Sequence, residues 1–191
     1  MFSAFRSLLN RQPSDPDTAP RSWARKLAAE RESRFFAWFH LEADGEPLAE
    51  SDWLRHRFRP AGDSFRALVV LDVTVDAGDG IRSAELCLDR SFVSGPDDAF
   101  ARDLAKSFLE WVLDDAAREQ AAVLIANIGN LAAASAPVIA AEPLPQPPRD
   151  ATGAYAVFTG DADAATLLLG SALVTLANHG GRLTIEAALE G

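Results

Sequence analysis

The segment from residue 65 to residue 93 constrains the fold more than any other part of the chain. Polar and apolar residues alternate strictly over residues 72–76, which is typical of a β-strand with one covered face. A turn sequence follows at residues 77–80, and the alternation resumes at residues 84–89. The pattern therefore predicts an antiparallel hairpin, with strands at residues 65–76 and 81–93.

The rest of the pattern predicts helices and strands that would pack around this hairpin. We expect helices from Ser22 to about Glu32, within 48–58, from residue 94 onward with a break near Asp114 and Asp115, and at 161–178. Further strands are expected at 35–41, 154–159 and 182–189. The predicted fold class is α+β, with two layers: a mixed, largely antiparallel sheet of about five strands and helices mainly on one face.

The chain is expected to divide into a short N-terminal region and one domain. Phe2, Phe5, Leu8 and Leu9 recur at helical spacing, so residues 1–20 are interpreted as an amphipathic segment followed by a proline-containing connector. Residues 21–191 then form a single α+β domain, with an Ala/Pro-rich connection at 132–149. The segment after this connection is too small to fold alone, so we expect it to join the same sheet.

Charge and cysteine content narrow the classes of partner and compartment. The chain has a formal net charge of −10, and residues 61–191 carry 8 basic against 19 acidic residues. This field repels phosphate backbones, so nucleic acid is not an expected partner. Cys87 is the only cysteine and no secretory signal is visible, so we expect a soluble, cytoplasmic protein.

Four residues are candidates for acid–base chemistry. His40 lies on the first predicted strand, His56 lies within the basic segment 55–59, and Asp72 and Asp76 share one face of the clearest strand. The alternative interpretation is that these carboxylates decorate the solvated face of a half-covered sheet. Nucleotide-binding, zinc and nucleophile-elbow motifs are missing from the sequence, so we predict neither metal nor cofactor.

Two other groups of residues are candidates for binding. Arg55, Arg57 and Arg59 form the one basic cluster. This cluster would bind a phosphate or an acidic peptide, or it would only keep the surface of its helix solvated. Phe2, Phe5, Leu8 and Leu9 would attach the chain to a membrane surface, but one short helix binds only marginally.

Apolar elements are plentiful in this sequence, whereas polar residues that converge on one site are not evident. We therefore predict a non-enzymatic protein-interaction, accessory or regulatory module. The alternative is a small hydrolase or transferase with a His/Asp site on the sheet face. We also predict a homodimer whose interface includes elements beyond the 132–149 connection, since that connection is long enough to reach a second subunit.

Overall fold

The computed structural model describes residues 25–95, 97–129 and 149–189, and of residues 149–152 it describes the backbone only. Seven helices lie in these ranges: α1 (Leu27–Glu30), α2 (Arg34–Trp38), α3 (Asp63–Arg66), α4 (Arg90–Val93), α5 (Asp98–Val112), α6 (Asp115–Gly129) and α7 (Arg149–Thr159). Eight strands accompany them: β1 (Leu41–Ala43), β2 (Leu48–Glu50), β3 (Trp53–Pro60), β4 (Val69–Asp76), β5 (Ile81–Asp89), β6 (Ala164–Leu169), β7 (Ala172–His179) and β8 (Arg182–Leu189).

All eight strands form one sheet with the order β1-β3-β4-β5-β8-β7-β6, and β2 pairs with β3 beside β1. The predicted α+β class and the central β4–β5 hairpin are confirmed, but both strands are shorter than predicted, because residues 63–66 form α3 and residues 90–93 form α4. Two details of the predicted sheet are wrong. It has eight strands rather than about five, and every pairing among the described strands is antiparallel rather than mixed.

The core lies against one face of this sheet. Leu71, Val73 and Val75 of β4 are buried and alternate with the partly exposed polar residues Asp72, Thr74 and Asp76, as the sequence pattern requires. The buried strand residues join a single apolar cluster with residues of α5, α6 and α7. The other face of the central strands carries half-buried polar side chains.

The long helical region is divided at the predicted point. Helix α5 ends at Val112 and α6 begins at Asp115. Asp114 Oδ1 accepts a hydrogen bond from the backbone N–H of Ala117 at 2.8 Å, which satisfies one free donor of the new helix. The break lets the apolar stripes of both helices reach the same core, which one straight helix would not allow.

The strand predicted at 35–41 is wrong, because residues 34–38 form α2 and β1 begins only at Leu41. Phe35, Phe36 and Phe39 are all buried, at the spacing of a helical face. Phe35 stacks on Trp111 with ring centroids 5.0 Å apart. Aromatic residues occupy nearly every position here, so the sequence pattern did not discriminate a period of 2 from one of 3.6.

The helix predicted within 48–58 is also wrong, because β2 and β3 form a hairpin there. Ser51 adopts a positive φ of 56° in the turn. Phe58 and Pro60 of β3 are buried, while the arginines between and before them point to the other face. The alternation that sets this strand is carried by arginines, which are also good helix formers.

The C-terminal part was predicted with two of its three elements exchanged. Residues 149–159 form α7 rather than a strand at 154–159, and Ala154, Val157 and Phe158 make its buried face. Residues 161–178 contain the β6–β7 hairpin rather than a helix, with Gly170 at φ +62° in its two-residue turn. The last strand, β8, is confirmed and pairs with β5 and β7.

Several predictions fall outside the described residues. These are the N-terminal segment with Phe2, Phe5, Leu8 and Leu9, the start of the first helix at Ser22, and almost all of the 132–149 connection. The longest helices in the described ranges have 15 residues, and none of them is long and apolar enough to cross a membrane.

Candidate interaction surface

The structure does not bring the four acid–base candidates together as one site. His56 lies opposite Val73 in the β3–β4 pairing, so it points to the core side of the sheet. Burial lowers the pKa of His56, and the charge of Arg31 lowers it further against the opposing effect of Asp79. Asp72 points to the other face, where Arg57 donates two hydrogen bonds of 2.8 Å to its carboxylate.

His40 and Asp76 have other structural roles. His40 lies in the turn before β1 with φ 48°, and its carbonyl accepts the backbone N–H of Ala61 at 2.9 Å. Asp76 Oδ1 accepts the N–H groups of Gly78 and Gly80 at 2.9 and 2.8 Å, which closes the turn between β4 and β5. Both residues therefore stabilise turns, at separate places in the fold.

The predicted basic cluster is present on the polar face of β3, but acids neutralise it. Arg55 pairs with Glu50 at 2.9 Å, Arg57 with Asp72 at 2.8 Å, and Arg59 with Asp44 at 2.7 Å. Burial acts to raise the pKa of Asp44, but the hydrogen bonds and charges of Arg59 and Arg66 outweigh it and lower the value. The cluster is built into ion pairs rather than left available for an anion.

Charge changes along the polar face from one end of the sheet to the other. One row of directly paired residues crosses six strands, in the order Arg57, Asp72, Glu85, Glu186, Thr175 and Thr166. Burial raises the pKa of Glu85, and the negative charges of Glu186 and Asp72 raise it further. Charged residues of this row stop at β8, so its continuation on β7 and β6 is uncharged.

An apolar patch occupies the uncharged end of this face. Leu168 of β6 and Leu173 of β7 are directly paired, and they are 56 % and 39 % exposed. Large exposed apolar side chains that lie side by side mark interaction sites more often than isolated ones do.

Strand β6 also forms an edge of the sheet, and its outward backbone groups have no hydrogen-bond partner among the described residues. The backbone N–H of Asn178 donates to the carbonyl of Asp163 at 2.7 Å, which sets the alternation of the β6–β7 ladder. Residues 165, 167 and 169 therefore bond to β7, whereas Ala164, Thr166 and Leu168 direct their N–H and C=O groups away from it. In the described part of the chain, β6 pairs with β7 alone.

The described residues give this edge none of the charges, prolines or bulges by which proteins often prevent strand pairing. Residues 164–169 contain no charged residue, no proline and no bulge, and six residues is an average strand length. The sequence pattern did not reveal this site, because residues 161–178 were predicted to form a helix. The available signal was the uncharged run ending at Gly170, with Thr166 and Thr175 on either side of the turn.

A concave surface lies elsewhere in the fold, between α2, α5 and the start of α6. This open cavity of about 570 Å³ is bordered by Arg34, Trp38, Lys106 and Arg118, among others. Lys106 lies 3.8 Å from Glu110 and Arg118 lies 3.0 Å from Asp115, so acids within or beside the lining offset most of its positive charge. The geometry favours no particular ligand.

The β6 edge and the neighbouring Leu168–Leu173 patch thus form the most distinctive exposed surface of the described residues. They combine unpaired backbone groups, exposed leucines and the absence of charge. No protein-family model, curated protein or solved structure matches this chain.

Proposed function

We propose that this protein is a non-enzymatic interaction module that binds another polypeptide along β6. The single observation that carries the proposal is the uncharged edge of β6, on which three alternate residues direct their backbone groups outward. A chain that adds a strand there would gain backbone hydrogen bonds, and Thr166 and Leu168 would provide side-chain selectivity. We also infer that the helices cover mainly one face of the sheet, so the other face continues the binding surface toward Leu173.

The charge distribution supports a protein partner over nucleic acid. The net charge of −10 repels phosphates, and the arginines of β3 are already paired with carboxylates. The β6 surface contributes no charge of its own, so its affinity would come from backbone pairing and apolar contact. A small hydrolase or transferase remains the alternative from the sequence, but no contact among the described residues favours it.

Quantitative affinity capture of proteins bound to the tagged chain, expressed in its source cell, tests this proposal. We expect Leu168→Lys to reduce the recovery of specifically bound protein at least tenfold, because it places a charge beside the outward backbone groups. The matched control is Leu48→Lys. Leu48 is 58 % exposed on β2 at the opposite edge, so both substitutions change an equally exposed leucine by the same charge.

Recovery that falls with Leu168→Lys and not with Leu48→Lys supports a binding site on β6. Equal recovery with both variants, while both remain folded by circular dichroism, would contradict it. An untagged copy of the chain should be expressed together with the tagged one, so that self-association and binding of another protein are scored separately.

A further inference from the structure

We propose that the polypeptide bound along β6 is β6 of a second copy of this chain, paired antiparallel about a two-fold axis at Thr166. This inference rests on the proposed function and names the partner of the same surface. It joins two eight-stranded sheets into one continuous sheet, and it specifies which residues face each other across the axis.

The alternation of the β6 ladder determines this register. In an antiparallel pair, residues that exchange both backbone hydrogen bonds lie directly opposite each other. Only Ala164, Thr166 and Leu168 of β6 direct their backbone groups outward. Three consecutive alternate positions are symmetric about the middle one, so a two-fold axis there puts Thr166 opposite Thr166 and Ala164 opposite Leu168 of the partner subunit. All three outward-directed residues of each copy then find a partner.

Side chains on the polar face are compatible with the same register. Thr166 Oγ1 lies 3.3 Å from Thr175 Oγ1 within one subunit. The two-fold pairing places two such threonine pairs side by side, and threonines opposite each other favour strand association. Leu168 would lie opposite Ala164, which leaves room for the larger side chain and covers an apolar surface that is 56 % exposed in the single chain.

Charge also favours this arrangement over other contacts between two copies. Each chain carries −10, so most of its surface repels an identical chain. Strand β6 carries no acid, and the acids that precede it in the chain are Asp161 and Asp163, both exposed. The register places Asp163 opposite Leu169 and Asp161 opposite Ser171 of the partner subunit, so no carboxylate lies directly opposite another.

Mass and site-directed crosslinking test the inference with the full chain. We expect light scattering at micromolar concentration to give about 41 kDa, twice the mass of one 20.5 kDa chain. In a Cys87→Ser background, Thr166→Cys should crosslink to itself under mild oxidation, because directly paired residues have Cα atoms about 5.5 Å apart, within disulfide range.

The register is tested by shifting the cysteine. Leu168→Cys alone should crosslink at least tenfold less, because the two copies of residue 168 would be about 13 Å apart along the strands. Combining Ala164→Cys with Leu168→Cys should restore the crosslink. Strong crosslinking of Leu168→Cys alone, with none at Thr166→Cys, would overturn the proposed axis.

Charge substitution on the axis gives an independent measurement. Thr166→Lys and Thr166→Asp should each give single chains of about 20 kDa, because like charges would meet at the axis. An equimolar mixture should recover a dimer that contains one copy of each. Leu48→Lys, at the opposite edge, should leave the dimer intact.

Two further results would overturn the inference, and both are distinguishable from failure of the proposed function. If the wild-type chain is monomeric, a second copy of the chain is not the partner. If Leu168→Lys nevertheless reduces the recovery of a different captured protein, the proposed interaction module is still supported. A dimer that persists in both Thr166 variants and shows no crosslink at Thr166→Cys uses another surface.

Discussion

The two edges of the sheet differ in the length and in the charge of their strands. At one edge, β1 and β2 have three residues each, and they carry Glu42 and Glu50. At the other edge, β6 has six residues and no charge. Short, charged edge strands discourage association with other chains, whereas a longer uncharged strand permits it. Among the described residues, the first edge has features that discourage pairing and the second has none of them, which is the pattern expected where association occurs on one side only.

The same contrast extends over the polar face. Near the first edge Arg55, Arg57 and Arg59 each pair with a carboxylate, so the surface is charged but internally balanced. Toward β6 the face changes to threonine, alanine and leucine. Four tests by substitution examine this contrast, beginning with the largest expected effect.

Ile185→Asp should remove the β6 edge by destabilising the strand on which it is built. Ile185 is fully buried in β8, between β5 and β7, so an aspartate there would place a charge in the core. We expect a loss of about 4 kcal/mol or more in the free energy of unfolding, measured by urea denaturation. Leu183→Asp should behave in the same way.

The control for this change is Ile185→Val, which removes one methylene group and should cost about 1 kcal/mol. If Ile185→Asp retained wild-type stability, the burial of β8 would be incorrect. Because β8 is an interior strand, these substitutions test the strand that supports the β6–β7 hairpin rather than the interface itself.

The double substitution Glu42→Thr and Glu50→Thr should make the protected edge resemble β6. With both edges able to pair, we expect assemblies larger than two chains, measured by light scattering at micromolar concentration. Glu46→Thr with Glu119→Thr removes the same charge at exposed positions outside the strands, and it should leave the mass unchanged. Equal growth of both double variants would show that net charge, rather than edge protection, controls association.

Glu85→Gln should stabilise the centre of the sheet between the two regions. Burial and the neighbouring carboxylates raise the pKa of Glu85 in the folded state, so its ionised form opposes folding. At neutral pH we expect a gain of roughly 0.2–1 kcal/mol, since Glu85 lies directly opposite Glu186.

The pH dependence of this gain in stability tests the direction of the pKa shift of Glu85. The gain should shrink as the pH falls through the raised folded pKa of Glu85, and it should vanish below the unfolded value of about 4.5. Urea denaturation at several pH values measures it, with the exposed Glu119→Gln as control. A gain that grows toward acid pH would contradict the raised pKa.

Cys87→Ser should have the smallest effect of the four. The thiol lies on the polar face, where Cys87 pairs with Val70 and Thr184 on the adjacent strands. Burial raises the pKa of Cys87, so the thiol stays protonated at neutral pH and is a poor nucleophile. We expect stability within about 0.5 kcal/mol of wild type and an unchanged dimer mass. Loss of binding in a folded variant would show that the thiol takes part in the interaction.

The sequence alone determined those elements whose spacing of apolar residues fits only a helix or only a strand. Strict alternation with a tight turn at 77–80 specified the β4–β5 hairpin, and two misaligned apolar stripes specified the break at Asp114. Strand β8 followed for the same reason, because its apolar residues recur at every second position. The candidate arginines and acids were identified by type, but not their mutual pairing.

Tertiary structure decided the segments whose residues suit both a helix and a strand. The spacing of leucines and alanines in residues 164–178 does not exclude a helix. These residues form strands because β7 pairs with β8 along its whole length. Residues 154–159 become a helix because Ala154, Val157 and Phe158 then reach one buried surface. Local preferences differ by only a few tenths of a kcal/mol per residue, whereas burying a large apolar side chain gains about 2 kcal/mol. Long-range packing therefore selected these elements, and with them the open edge of β6.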